Sequence, residues 1–327
     1  MNPQLYVERE SWPIAGGFTI ARGSKSEAEL VVARLEADGQ VGRGECVPYP
    51  RYGESVSGVS EAIAGMAEEL AAGLDRQGLL SAMPAGAARN AIDAALWNLE
   101  TARTGTPAWE RAGLPTPKPV TTAFTISLGT PEKMAADSAS AAARPLLKVK
   151  LGGEGDEERI RAVRAAAPRA RLIVDANEAW DQHNIERRLR ACAEVGVLLV
   201  EQPLAAAEDA VLAEIDSPVP LCADESFHGL EGLDQLATRY RYVNLKLDKT
   251  GGLTAALEVA RAARERGLRL MVGCMVGTSL GMAPAFLLTP WADFVDLDGP
   301  LLLSKDREPG FHFEGSSMHP APRELWA

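Results

Sequence analysis

Apolar residues in this chain of 327 residues fall into two patterns. From residue 118 onward, short Leu- and Val-rich runs at 120–125, 146–150, 172–175, 197–201, 221–224, 243–246, 268–273 and 294–298 have the length and composition of buried strands. Between them, residues 157–167, 185–193, 230–238 and 253–266 place apolar side chains at helical spacing, and Gly or Pro follows most of them. Strands alternating with helices predict an α/β fold, a (β/α) barrel whose C-terminal strand ends gather on one face over residues 118–300.

Before residue 118 the pattern changes. Residues 29–36 and 41–46 flank Asp38-Gly39, a dipeptide of tight hairpin turns, and predict an antiparallel pair. Residues 60–74 and 87–101 read as helices rich in Ala and Leu, so residues 1–117 form an α+β unit. Pro115, Pro117 and Pro119 mark the linker, because proline interrupts both helix and ladder. Residues 301–327 read as loop.

Five of the barrel strands end on ionisable residues, Lys150, Asp175, Glu201, Asp224 and Lys246, spaced 22 to 26 residues apart. A lone carboxylate at a strand end is more often a cap or a surface charge than a ligand. Asp175, Glu201 and Asp224 stand on three consecutive strands, and three charges so close repel unless a cation joins them. An all-oxygen set without His or Cys predicts a hard ion, Mg²⁺ first and Mn²⁺ next. Asn177 and Glu225 are nearby polar candidates for supporting or capping work, and Lys249 reads as a surface residue of the following loop.

Lys148 and Lys150, at i and i+2, point to one face of their strand. Two neighbouring ammonium groups disfavour each other's protonation, so one can serve as a base while the other holds a carboxylate. Lys246, across the barrel, is either a second base or a counter-charge for the acids. Two amines flanking a metal-held carboxylate suit removal and return of an α-proton, because a divalent ion stabilises the enediolate left behind.

Composition narrows the partners. With 45 acidic and 34 basic residues the net charge is −11, which disfavours nucleic acid and anionic membrane. Cys46, Cys192, Cys222 and Cys274 are too scattered for a zinc site or a disulfide framework, and no run is long enough to span a bilayer. The N-terminal residues lack the apolar core of a signal peptide, so a cytoplasmic protein is expected.

The segments Leu147-Lys148-Val149-Lys150, Val174-Asp175-Ala176-Asn177, Val200-Glu201-Gln202-Pro203-Leu204, Ala223-Asp224-Glu225-Ser226 and Asn244 through Gly252 resemble the signature set of the enolase superfamily, muconate-lactonizing subgroup. The resemblance spans essentially the whole chain. It implies an N-terminal α+β capping domain over a modified (β/α)7β barrel, with the C-terminal tail returning to the cap. Gly273-Cys274-Met275 and Asp296-Leu297-Asp298-Gly299-Pro300 are similar to the dipeptide epimerases of that subgroup. Lys150 and Lys246 are then the acid/base pair, with Mg²⁺ on Asp175, Glu201 and Asp224, as the general pattern for this superfamily states. Thr125, Lys148 and Cys274 match positions that contact substrate, Lys148 holding its carboxylate. Asp296 and Asp298, two apart on the last strand, can bind the free α-ammonium of a dipeptide. Arg22 or Lys25, on a loop of the cap, can pair with a glutamate side chain, and residues 48–54 are a second lid candidate. The implied reaction is epimerisation of L-Ala-D-Glu to L-Ala-L-Glu, a dipeptide of peptidoglycan, in an enzyme whose relatives are often homo-oligomers. A lyase or cycloisomerase of the same subgroup, such as an o-succinylbenzoate synthase, shares the Lys-x-Lys, the acids and Lys246. A barrel that binds metal or peptide without catalysis is the remaining alternative.

Overall fold

The computed structural model describes residues 3–326. The chain opens with a three-stranded antiparallel sheet of β1 (Gln4–Ile20), β2 (Gly23–Ala37) and β3 (Gln40–Cys46). The hairpin predicted at Asp38-Gly39 joins β2 to β3, with Ala37 opposite Gln40. Strand β1 had no clear signal in the sequence. Its charges, its proline and the register break between Pro13 and Phe18 hide the alternation on which such a signal depends.

The helix Ala87–Thr104 covers this sheet, burying Ala87, Ala91, Ile92, Ala95, Leu96 and Leu99 against Val31, Ala33 and Leu35. The two elements meet so closely because β3 carries glycine at that face. A Cβ on Gly44 would overlap the Ala91 carbonyl oxygen and come within 2.7 Å of Ala94 Cβ. We expect Gly44→Ala to cost at least about 1–3 kcal/mol, as overpacking of a close-packed interface does, read as a lower denaturant midpoint at unchanged slope.

The barrel strands run β5 (Phe124–Ile126), β6 (Leu146–Lys150), β7 (Arg171–Asp175), β8 (Val197–Glu201), β9 (Leu221–Ala223), β10 (Tyr242–Leu245), β11 (Arg269–Gly273) and β12 (Phe294–Asp296), parallel neighbours in that order. Ala123 N donates to Val295 O at 2.8 Å and brings the first and last strands together. The predicted first strand, 120–125, is split. β4 (Val120–Thr121) leaves the barrel to pair with β14 (Ser317–Met318), which forms a hairpin with β13 (Phe313–Glu314). That hairpin lies in the tail read as loop.

The predicted helix 230–238 shrinks to Leu233–Leu236, since Gly232 enters it at φ +75° and Thr238 begins the turn into β10. Elsewhere the tail runs along the N-terminal unit. Ser304 N donates to Pro13 O, Arg307 pairs with Glu10 and Glu45, and Trp326 Nε1 donates to Ala94 O. Among the described residues no helix is long and apolar enough to cross a membrane.

Candidate active site

Parallel register aligns the strand ends. Lys150 lies opposite Asp175, and Asp175 opposite Glu201, so consecutive strands deliver consecutive charges to one level. Asp175, Glu201 and Asp224 are buried, and one carboxylate oxygen from each lies within 4.8 Å of the others. Lys150 Nζ donates to Asp175 Oδ2 at 2.6 Å, and Lys246 Nζ to Asp224 Oδ2 at 2.7 Å. β6 and β10 are four strands apart in a sheet of eight, so the two lysines face each other across the barrel mouth.

Lys148, only 1% exposed, sits among three acids, with Glu201 at 2.6 Å, Asp296 at 2.7 Å and Asp175 at 3.5 Å. Burial lowers its pKa, but the charges of Asp296, Glu201 and Asp175 outweigh burial and hold it well above the ordinary range. It is a fixed cation. Lys150 has a single carboxylate partner and borders the cavity.

Two carboxylates of the mouth are held high. Burial, reinforced by Asp175, pushes Glu201 up to about 7, and burial, reinforced by Asp296, pushes Asp298 up to about 7. Glu201 Oε2 lies close to Lys148 but out of line for a hydrogen bond, and Asp296 Oδ1 is buried with no donor. Asp224, in contrast, is held well below the usual carboxylate range; burial raises it, but Lys246 and Lys249 together win. The mouth thus has carboxylate charge to spare at two places, the three-acid cluster and the Asp296/Asp298 end. Three buried carboxylates with an orphaned oxygen among them fit a hard divalent cation.

Above these groups lies a cavity of about 460 Å³ between barrel mouth and N-terminal unit. Thr125, Lys148, Lys150, Asp224, Lys246, Cys274, Asp296, Asp298, Arg22 and Lys25 all border it, while Asp175 and Glu201 lie beneath. Arg22 reaches down from the cap, donating to Glu225 Oε1 at 2.7 Å, to Tyr49 Oη and to the Asn177 carbonyl. Arg51 forks onto both oxygens of Glu178 at 2.8 Å. The loop at 48–54 therefore closes one wall, with Tyr49 and Tyr52 facing the cavity.

Two expectations need correction. Asp298 is not on the last strand. β12 stops at Asp296, and Asp298 precedes the helical turn Gly299–Leu302, where Pro300 at the second position favours a helix start. It still meets the cavity, held by Thr125 N, which donates to Asp298 Oδ2 at 2.7 Å. Lys249 is buried rather than on the surface. The single turn Leu247–Thr250 folds it back beneath Asp224, where Nζ meets Oδ1 at 2.6 Å and the backbone carbonyl at 2.5 Å.

Sequence reasoning also missed Asn244 and Gln202. Asn244 Nδ2 donates to Glu201 Oε1 at 2.6 Å; its position two residues before Lys246, on the same strand face, was the available signal. Gln202 Oε1 accepts from the backbone N of Asp224 and of Ser226, and so fixes the neighbouring strand end.

Residues 3–113 match the model of the mandelate racemase / muconate lactonizing enzyme N-terminal domain, and residues 133–298 match that of the enolase C-terminal domain-like family. The chain is 48% identical to an L-Ala-D/L-Glu epimerase from Escherichia coli (strain K12), covering 96% of this chain and 98% of that protein. It is 42% identical to an N-acetyl-D-glutamate racemase from Pseudoalteromonas sp., covering 87% of this chain and 91% of the other. Among solved structures, an enolase family member from Agrobacterium tumefaciens with homology to dipeptide epimerases superposes with TM-score 0.98 at 53% identity, over 99% of this chain and all of that one. That crystal holds sodium and L-Ala-L-Glu.

Proposed function

Because the chain belongs to the enolase superfamily, with the N- and C-terminal segments of the mandelate racemase and muconate lactonizing group, we propose that it epimerises the C-terminal residue of dipeptides, L-Ala-D-Glu to L-Ala-L-Glu, with Mg²⁺ as cofactor. The observation that carries the substrate is the Asp296/Asp298 pair. Both are buried at the cavity edge, Lys148 forms its ion pair with Asp296, and burial, reinforced by the charge of Asp296, pushes Asp298 up to about 7. A dipeptide's α-ammonium supplies a cation to that pair. The L-Ala-D-Glu unit is a murein peptide, so we place the enzyme in murein peptide metabolism in the cytoplasm, where four free thiols are at home.

Asp175, Glu201 and Asp224 would hold the ion. A bound Mg²⁺ would offset their charge and, as a Lewis acid beside a substrate carboxylate, would acidify the neighbouring carbon. Lys148, kept charged by its acids, grips the substrate carboxylate and orients it. Lys150 and Lys246 then flank one substrate carbon from opposite sides, so that the lysine facing the α-proton of one epimer removes it and the other lysine delivers a proton to the opposite face. Thr125 fixes Asp298 through its backbone N–H, and the Cys274 thiol, which donates to the Asp296 carbonyl at 3.3 Å, packs the same corner. Arg22 or Lys25 meets the glutamate side chain from the cap.

The direct test is incubation of either Ala-Glu epimer in deuterated water, followed by proton NMR. We expect the C-terminal α-proton to wash out as the epimers equilibrate; retention of that proton and of configuration in both epimers would overturn the reading.

A second reading follows from the N-acetyl-D-glutamate racemase relative, since racemising an N-acylated amino acid is also removal and return of a proton on the carbon beside a carboxylate. An acyl nitrogen brings no positive charge to Asp296 and Asp298. Replacing both with Asn is therefore expected to lower kcat/KM for L-Ala-D-Glu by about 10²-fold or more while Mg²⁺ affinity is kept, and to leave an N-acylglutamate activity intact or raised. An Ala-Glu activity left unchanged by the double replacement would favour the N-acyl reading.

A further inference from the structure

At the opposite end of the barrel from the catalytic mouth, the tail hairpin of β13 and β14 carries a second group of metal-ligating side chains. It pairs with β4, the segment preceding the first barrel strand, through Ser317 opposite Thr121 and Met318 opposite Val120. Its register is Phe313 with Met318 and Glu314 with Ser317, and His319 N donates to the His312 carbonyl at 3.0 Å, which sets His312 opposite His319. Alternation then sorts the side chains. Phe313 and Met318 turn into the core, and Met318 is fully buried. His312, Glu314 and His319 share the other face.

The three converge. His312 Nε2 lies 3.3 Å from Glu314 Oε1, and His319 Nε2 lies 3.7 Å from Glu314 Oε2. The imidazole centroids are 4.9 Å apart, and the three potential donor atoms lie within 4.8 Å of one another. Ligands about 2.0–2.2 Å from a tetrahedral ion stand roughly 3.3–3.6 Å from one another, so small side-chain rotations would bring these three donors to that spacing. His319 Nε2 is enclosed yet has no hydrogen-bond partner.

We propose that His312, Glu314 and His319 form a second divalent-metal site that takes a borderline ion of the Zn²⁺, Ni²⁺ or Cu²⁺ class. Two imidazoles and one carboxylate are the donor set such ions prefer, and one that the oxygen-seeking Mg²⁺ does not compete for. The side chains of His312 and Glu314 are 68% and 67% exposed, so water completes the coordination and the ion needs no path through the core. Bound there, it clasps both strands of the hairpin whose Ser316 carbonyl accepts from Thr122 N at the base of the barrel.

The test uses tag-free protein kept saturated with Mg²⁺. Zn²⁺ titrated calorimetrically is expected to occupy one more equivalent in the wild type than in a His312→Ala/His319→Ala variant, and Cu²⁺ at that site should show coupling to two nitrogens in its paramagnetic resonance spectrum. Either single His→Ala change should weaken Zn²⁺ by at least the roughly 10–100-fold that loss of a mere outer-shell partner costs. Turnover with Mg²⁺ should match wild type in every variant, which separates this site from the catalytic one. Equal Zn²⁺ stoichiometry and affinity in wild type and double variant, or a Cu²⁺ spectrum without nitrogen coupling, would overturn the proposal.

Discussion

Lys150→Ala and Lys246→Ala are each expected to abolish epimerisation while leaving solvent exchange of the α-proton in one epimer only, and not the same epimer for both variants. The argument rests on position. The two lysines cap β6 and β10, on opposite sides of an eight-stranded barrel, so a substrate carbon between them presents one face to each. Losing a general base typically costs about 10²–10⁴-fold, and inversion needs both. Exchange needs only one. A one-base enzyme would lose everything in one variant and little in the other, so proton NMR of each epimer in deuterated water separates the cases. Lys148→Met serves as the contrast. Lys148 holds charge among Glu201, Asp296 and Asp175, so its loss should suppress exchange from both epimers alike.

The strands at 146–150 and 197–201 were legible to the residue, because each is a short Leu- and Val-rich run closed by an ionisable residue, and in 146–150 the two lysines alternate with an apolar side chain. The strand-end ring was legible for the same reason, since a charge that closes such a run has nowhere to point but the mouth. Asp298 and Lys249 were not. Both lie just past a strand end, where one helical turn decides the direction of a side chain, and the glycines that shape the turn after Lys249 act through space. Gly252, at φ +110°, passes so close to Asp93 of the cap helix that a Cβ there would come within 2.5 Å of it. No local pattern announces such a contact. The pairing of Arg22 with Glu225 likewise joins residues 203 positions apart and needs the cap seated on the barrel.

Removing the divalent ion should stop turnover without unfolding the chain, and two substitutions at the cluster should divide those effects. Without an ion, Lys150 covers Asp175 and Lys246 covers Asp224, so chelated protein should keep its circular dichroism spectrum and regain activity with Mg²⁺. Mg²⁺ at about 100 times its dissociation constant adds roughly 2.7 kcal/mol to stability, which a thermal scan reads as a rise of several degrees. Glu201→Gln should lose that rise and the activity, yet unfold near the temperature of the chelated wild type. Glu201 already sits near 7, and Lys148 keeps Asp175 and Asp296 when its charge goes. Asp224→Asn should do more. It removes the carboxylate that pairs with Lys249, whose side chain is fully buried, and with Lys246, and breaking a buried pair costs about 3–5 kcal/mol. A chelated Asp224→Asn protein that melts with chelated wild type would mean that Lys249 simply sheds its proton. Burial already lowers its pKa, so the melting temperature of that variant should then rise with pH above neutrality, because the unfolded chain still binds the proton that the folded chain has lost, whereas a flat profile would mean that the charge is kept.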